Sequence, residues 1–118
     1  MRVKLYEDEL NFVLGRDNTY YILVIEPWSG QPVNIQKIAS VRVFAKVPNT
    51  NIEIDADYLL FTKLANTVIK VMFPASRIPD DLKAGNVLYM YCDVTTTDDR
   101  RYSILQPPQR LRVVSQTT

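Results

Sequence analysis

The sequence predicts an all-β domain, an antiparallel sandwich of seven or eight short strands, with a small closed barrel as the alternative. Three observations carry this. Apolar and polar residues alternate with a period of two along most of the chain. Clusters of Pro, Asn and Asp interrupt that alternation at roughly 8–15-residue spacing, as turns between short strands do. No stretch keeps the 3.6-residue period of a helix through three turns. Many short, evenly spaced strands in a small domain suit a sandwich first and a barrel second.

The elements follow in order. A weak strand covers residues 10–14. Thr19-Tyr20-Tyr21-Ile22-Leu23-Val24-Ile25 is a run of β-branched and aromatic residues, stopped by Pro27 and the turn residues Trp28-Ser29-Gly30-Gln31-Pro32. Val41, Val43, Ala45 and Val47 alternate with Arg42, Phe44 and Lys46 before Pro48-Asn49-Thr50-Asn51 closes the segment. Ile52, Ile54 and Ala56 alternate with Glu53, Asp55 and Asp57, a short strand near a sheet edge. Ile69, Val71 and Phe73 face one way and Val68, Lys70 and Met72 the other. Pro74 and Pro79 then limit residues 76–83 to a short helical turn. Leu88, Met90, Cys92 and Val94 alternate with Tyr89, Tyr91 and Asp93, and short strands at 102–105 and 110–114 follow. With only three glycines, the turns must rely on Asn, Asp and Pro.

Composition narrows function. At 118 residues the chain is read as one domain, 1–118, with an N-terminal arm at 1–9 and a frayed tail at 115–118. Such a chain buries roughly 65% of its unfolded surface, enough for one core. The 47% hydrophobic and 23% charged residues are a globular balance. There is no histidine, which removes His-based acid–base chemistry and Ser-His or Cys-His nucleophile pairs. The single cysteine, Cys92, excludes an internal disulfide and reads as a small buried hydrophobe. A net charge of +1 gives no bulk attraction to nucleic acid or acidic membrane. Asp55 with Asp57, Asp80-Asp81 and Asp98-Asp99 read as turn and edge acids, lacking the converging oxygens and glycine loop of a calcium site. The isolated Gly15, Gly30 and Gly85 make no phosphate cradle. No enzyme, metal or cofactor is expected. No apolar run is long enough to cross a membrane as a helix, and residues 1–9 lack a signal-peptide core, so synthesis in the cytoplasm is expected.

The succession of segments resembles a known family. Gly15-Arg16-Asp17, Tyr21 to Ile25, Ser29-Gly30-Gln31-Pro32-Val33-Asn34-Ile35 and Ala39 to Lys46 form its first half. Leu82-Lys83-Ala84-Gly85, Tyr89-Met90-Tyr91-Cys92-Asp93-Val94, Asp98-Asp99-Arg100-Arg101-Tyr102 and Arg110 to Val114 form its second. Together, over residues 10–115, they are similar to the immunoglobulin-like domain of bacteriophage baseplate upper proteins and related phage tail and head-fibre proteins. The resemblance implies an Ig-like antiparallel sandwich without catalytic residues. It implies a virion structural protein (tail, baseplate, neck, or capsid decoration or adaptor), made in the host cytoplasm. Its partners would be other phage structural proteins in a symmetric multimer.

Candidate interface residues are Arg2, Val3, Lys4 and Leu5, whose alternation suits a strand lent to a neighbour's sheet, and Trp28 beside a turn. Arg100, Arg101 and Tyr102 form a cationic and aromatic hairpin tip. Two other readings stay open. One is a small barrel binding single-stranded nucleic acid through Tyr89, Tyr91, Arg100 and Arg112. The other is a carbohydrate-binding or adhesion sandwich using Trp28 and tyrosines.

Overall fold

A computed structural model describes residues 2–4, 9–25 and 33–115. Ten strands form among them. They are β1 (Arg2–Lys4), β2 (Glu9–Val13), β3 (Asn18–Ile25), β4 (Ile38–Lys46), β5 (Glu53–Asp55), β6 (Asp57–Lys63), β7 (Asn66–Phe73), β8 (Val87–Thr96), β9 (Arg101–Ser103) and β10 (Gln109–Val114). Period-two patterning becomes period-two burial: along β7 and β8 every second side chain is buried.

The strands build two sheets. One has four strands in the order β1-β3-β7-β6. The other has β2-β10-β8-β4-β5, with β9 also on β8. β4 occupies one side of β8, so β9 and β10 lie end to end along the other, opposite residues 93–95 and 87–90. Between them the chain leaves the ladder, buries Ile104 and Leu105, and passes a cis Gln106–Pro107 peptide.

Three expectations need correction. The sandwich is not antiparallel throughout, because β2 runs parallel to β10, from Glu9↔Arg110 to Val13↔Val114. The turn at Gly15 (φ +82°) sends the chain from β2 into the opposite sheet, so no hairpin sets the direction of β2. There are ten strands where seven or eight were expected: β1, read as an arm strand and not counted in the sandwich, pairs with β3 of its own chain, and the seven-residue β6 was not recognised as a strand. The helical turn expected over 76–83 is a single 3₁₀ turn, Ala75–Arg77. Pro79 then starts a tight turn in which the Leu82 N–H donates to the Pro79 carbonyl at 3.1 Å.

The core lies between the sheets. Tyr20, Ile22 and Val24 of β3 with Ile69, Val71 and Phe73 of β7 form one wall. Val41, Val43, Leu88, Met90, Cys92, Leu111 and Val113 form the other. Phe73 meets Phe12 edge-on at 5.6 Å and Tyr20 at 6.1 Å, so three rings tie β2, β3 and β7 together. The Tyr20 hydroxyl donates to the Asn11 carbonyl at 2.6 Å, and burial raises its pKa above the ordinary phenol range. Asn18 clamps β2 to β3, its Oδ1 accepting from the Val13 N–H and its Nδ2 donating to the Val13 carbonyl. The Thr67 hydroxyl donates to the Val33 carbonyl. No buried side-chain N or O among the described residues lacks a partner.

Burial, reinforced by the neighbouring Asp93 charge, pushes the Cys92 thiol up to about 12. At pH 8 it stays protonated and covered. A thiol reagent such as DTNB is therefore expected to leave native protein unlabelled and to modify one thiol per chain in denaturant. Rapid labelling of the native protein would contradict this burial.

Candidate functional site

Two outer faces are available for function, and their chemistry differs. On the four-stranded sheet, register brings the outward side chains of β3, β7 and β6 into rows. Thr19, Met72 and Asp57 make one row; Tyr21, Lys70 and Leu59 the next; Leu23, Val68 and Phe61 the third. Tyr21 is 58% and Leu59 53% exposed, while Leu23, Val68, Phe61 and Met72 are half-buried. Lone apolar side chains on a surface are ordinary; here Leu23, Val68 and Phe61 stand side by side, with Tyr21 and Leu59 flanking Lys70 in the next row, as a continuous apolar strip.

The patch runs on to a hairpin tip. β6 and β7 are joined by two residues, Leu64 and Ala65, with Lys63 opposite Asn66. Both have positive φ, 50° and 66°, the geometry of a type I′ turn. That turn favours Asn-Gly because a Cβ in the left-handed region costs about 1–2 kcal/mol per residue. Leu64 is also 87% exposed, the most exposed large apolar side chain described. The turn closes the β6–β7 hairpin, which Asn-Gly would do with less strain, and strain of this kind collects at functional positions.

The outer face of the six-stranded sheet mixes aromatic and charged side chains, several of which partner one another. Phe44 and Tyr91 stack at 5.1 Å with their planes 13° apart. The Arg42 guanidinium lies 4.3 Å over Phe44 and pairs with Glu53 at 3.2 Å and Asp55 at 3.8 Å. Register sets Tyr89 between Arg110 and Lys46. Tyr89, Tyr91 and Arg112 do share this face. Arg100 does not: it sits beyond Thr96, at the opposite end of β8 from Tyr89, about 20–25 Å away at strand rise. The four residues of the nucleic-acid reading are therefore not one site. A base needs an open ring to stack on, whereas Phe44 and Tyr91 cover each other and Arg42 covers Phe44.

The other candidates fall as follows. Arg2, Val3 and Lys4 form β1, an edge strand paired within the same chain to Ile25, Val24 and Leu23 of β3. Leu5 and Trp28 lie outside the described residues. Arg100, Arg101 and Tyr102 follow the β8–β9 turn. There Asp98 accepts from the Thr96 hydroxyl and pairs with Arg100 at 3.4 Å. The Thr96 bond chiefly holds the Asp98 carboxyl below the usual range, and contact with Tyr102 raises Arg100. Tyr102 packs on the core margin, while Arg100 and Arg101 are both exposed. Thus the tip is a locally tied turn.

β6 and the Leu64 tip were missed in the sequence although they dominate the exposed apolar surface. The available signal was the unbroken run Tyr58-Leu59-Leu60-Phe61. Among the described residues no cluster of three or more His, Cys, Asp or Glu could hold a metal ion. No protein-family model matches the chain, and no curated protein matches its sequence.

Proposed function

We propose that this chain is an immunoglobulin-like sandwich that serves as a structural component of a bacteriophage particle, in the tail, baseplate, neck or capsid decoration, through protein–protein contacts. The carrying observation is the apolar outer face of the four-stranded sheet, from Tyr21 and Met72 through Leu59 and Phe61 to Leu64. A face of this kind is a docking surface for protein.

Strand order supports the Ig-like reading. If β1 to β8 are lettered A, A′, B, C, C′, D, E and F, and β9 with β10 are taken as two halves of G, the sheet orders become A-B-E-D and A′-G-F-C-C′, which are compatible with an immunoglobulin-like arrangement. The family resemblance over residues 10–115 supplies the phage setting, and a repeated particle would turn individually weak contacts into firm attachment.

Mass spectrometry of gradient-purified particles tests this reading. The chain is expected at a fixed stoichiometry to a major structural protein, and Leu59→Glu is expected to remain folded and be incorporated at least ten-fold less. Absence of the wild-type chain from particles, or full incorporation of the variant, would overturn the reading. Salt-sensitive binding of the free protein to single-stranded oligonucleotides would favour the six-stranded face instead.

A further inference from the structure

We propose that β6 is a self-association edge: two copies pair their Asp57–Lys63 strands antiparallel about Leu60, joining two four-stranded sheets into one of eight strands. The proposal rests on the reading that the four-stranded sheet is the contact surface, and it names a second copy of this chain as one partner.

The edge is open. β6 is the terminal strand of its sheet and pairs only with β7. β4 and the 3₁₀ turn Ile35–Lys37 approach β6, yet no backbone group of residues 57–63 hydrogen-bonds outside the β7 ladder among the described residues. Proteins usually blunt an edge with a short strand, a proline, a bulge or a lysine in mid-strand. The other edge of this sheet, β1, has three residues. β6 has seven, with Tyr58-Leu59-Leu60-Phe61 at its centre and charges only at its two ends.

Those charges make the strand self-complementary. Antiparallel pairing about Leu60 sets Asp57 of each copy opposite Lys63 of the other. It sets Leu59 opposite Phe61 and Tyr58 opposite Thr62. Because Asp57, Leu59 and Phe61 share the outer face, the charged pairs bracket two Leu–Phe pairs, and cross-strand neighbours of these kinds attract. The parallel arrangement would oppose Asp57 to Asp57 and Lys63 to Lys63. Asp57 already accepts from Arg77 at 2.9 Å through Oδ1, which leaves Oδ2 for the ammonium. One position further, Leu64 falls opposite Ala56 of the other copy, so the bare leucine gains an apolar neighbour. The contact is isologous and closes at two copies. A seven-residue strand pair is smaller than a standard interface, so the dimer is a concentration-dependent equilibrium in the micromolar range or weaker.

Sedimentation equilibrium of the full chain from about 5 μM to 1 mM spans that range. Wild type is expected to show a monomer–dimer equilibrium. Lys63→Asp opposes like charges twice and is expected to weaken the dimer about ten-fold. Asp57→Lys combined with Lys63→Asp re-creates both cross-copy attractions at the cost of the Arg77 pair, and is expected to dimerise more tightly than Lys63→Asp alone. Hydrogen exchange of wild type alone needs no variant: the β6 amides that point away from β7, those of Tyr58, Leu60 and Thr62 given the Lys63–Asn66 hairpin closure, are expected to slow as concentration rises. A wild-type monomer throughout, a dimer indifferent to Lys63→Asp, no recovery in the double variant, or unchanged exchange at β6 would each overturn the proposal. A monomeric chain still incorporated into particles would end self-pairing alone. A dimer absent from particles would end the phage reading alone.

Discussion

Phe73→Ala is expected to lower folding stability by about 3–5 kcal/mol, the usual loss for a buried aromatic side chain. Phe73 is fully buried, and its ring is the hub where Phe12 from one sheet and Tyr20 from the other meet. Removing it leaves a cavity between sheets that interlocking strands cannot close by a small shift. Domains of this size have about 5–15 kcal/mol in total, so the variant loses a large share of its stability. Urea denaturation should show a lower midpoint with an unchanged slope. A loss below about 1.5 kcal/mol would mean that the three rings do not hold the sheets together, and the packing described here would be wrong.

Replacing Leu64-Ala65 by Asn-Gly (Leu64→Asn with Ala65→Gly) is expected to do the opposite, raising stability by about 1–3 kcal/mol. Both native residues hold positive φ in a two-residue turn, and Asn-Gly adopts that turn without the Cβ conflict. The same change removes the most exposed leucine described in the molecule. Stability and docking should therefore move in opposite directions: a higher melting temperature and weaker incorporation into particles. Such opposition is what a strained functional site produces. A variant that is no more stable would show that the turn carries no strain. Stabilisation with undiminished incorporation would remove Leu64 from the contact surface.

The core was legible in the sequence because alternation is a local signal. Val41, Val43 and Ala45, and Leu88, Met90, Cys92 and Val94, point inward as their spacing indicates. The apolar outer face of the four-stranded sheet was not legible, for three physical reasons. Tyr58-Leu59-Leu60-Phe61 does not alternate, since an edge strand lying over the sandwich margin has partly covered side chains on both faces. Its turn, Leu64-Ala65, contains none of the residues that normally announce a turn, so the boundary between β6 and β7 has no punctuation. And which face of Tyr21, Lys70 and Leu59 is wet depends on the pairing of three strands distant in sequence, which periodicity along any one strand does not reveal. The grouping of Arg100 with Tyr89 failed in a related way. Both belong to the β8 neighbourhood in sequence, but the length of an extended strand separates them.

Hydroxyl-radical footprinting of the free chain and of the chain in assembled particles tests most directly whether the four-stranded sheet docks onto protein. Oxidation of Tyr21, Met72 and Phe61 is expected to fall several-fold on assembly, with Tyr89 and Tyr91 on the opposite sheet unchanged. Protection of Tyr89 and Tyr91 alone, or equal oxidation of both faces in the two states, would contradict the account.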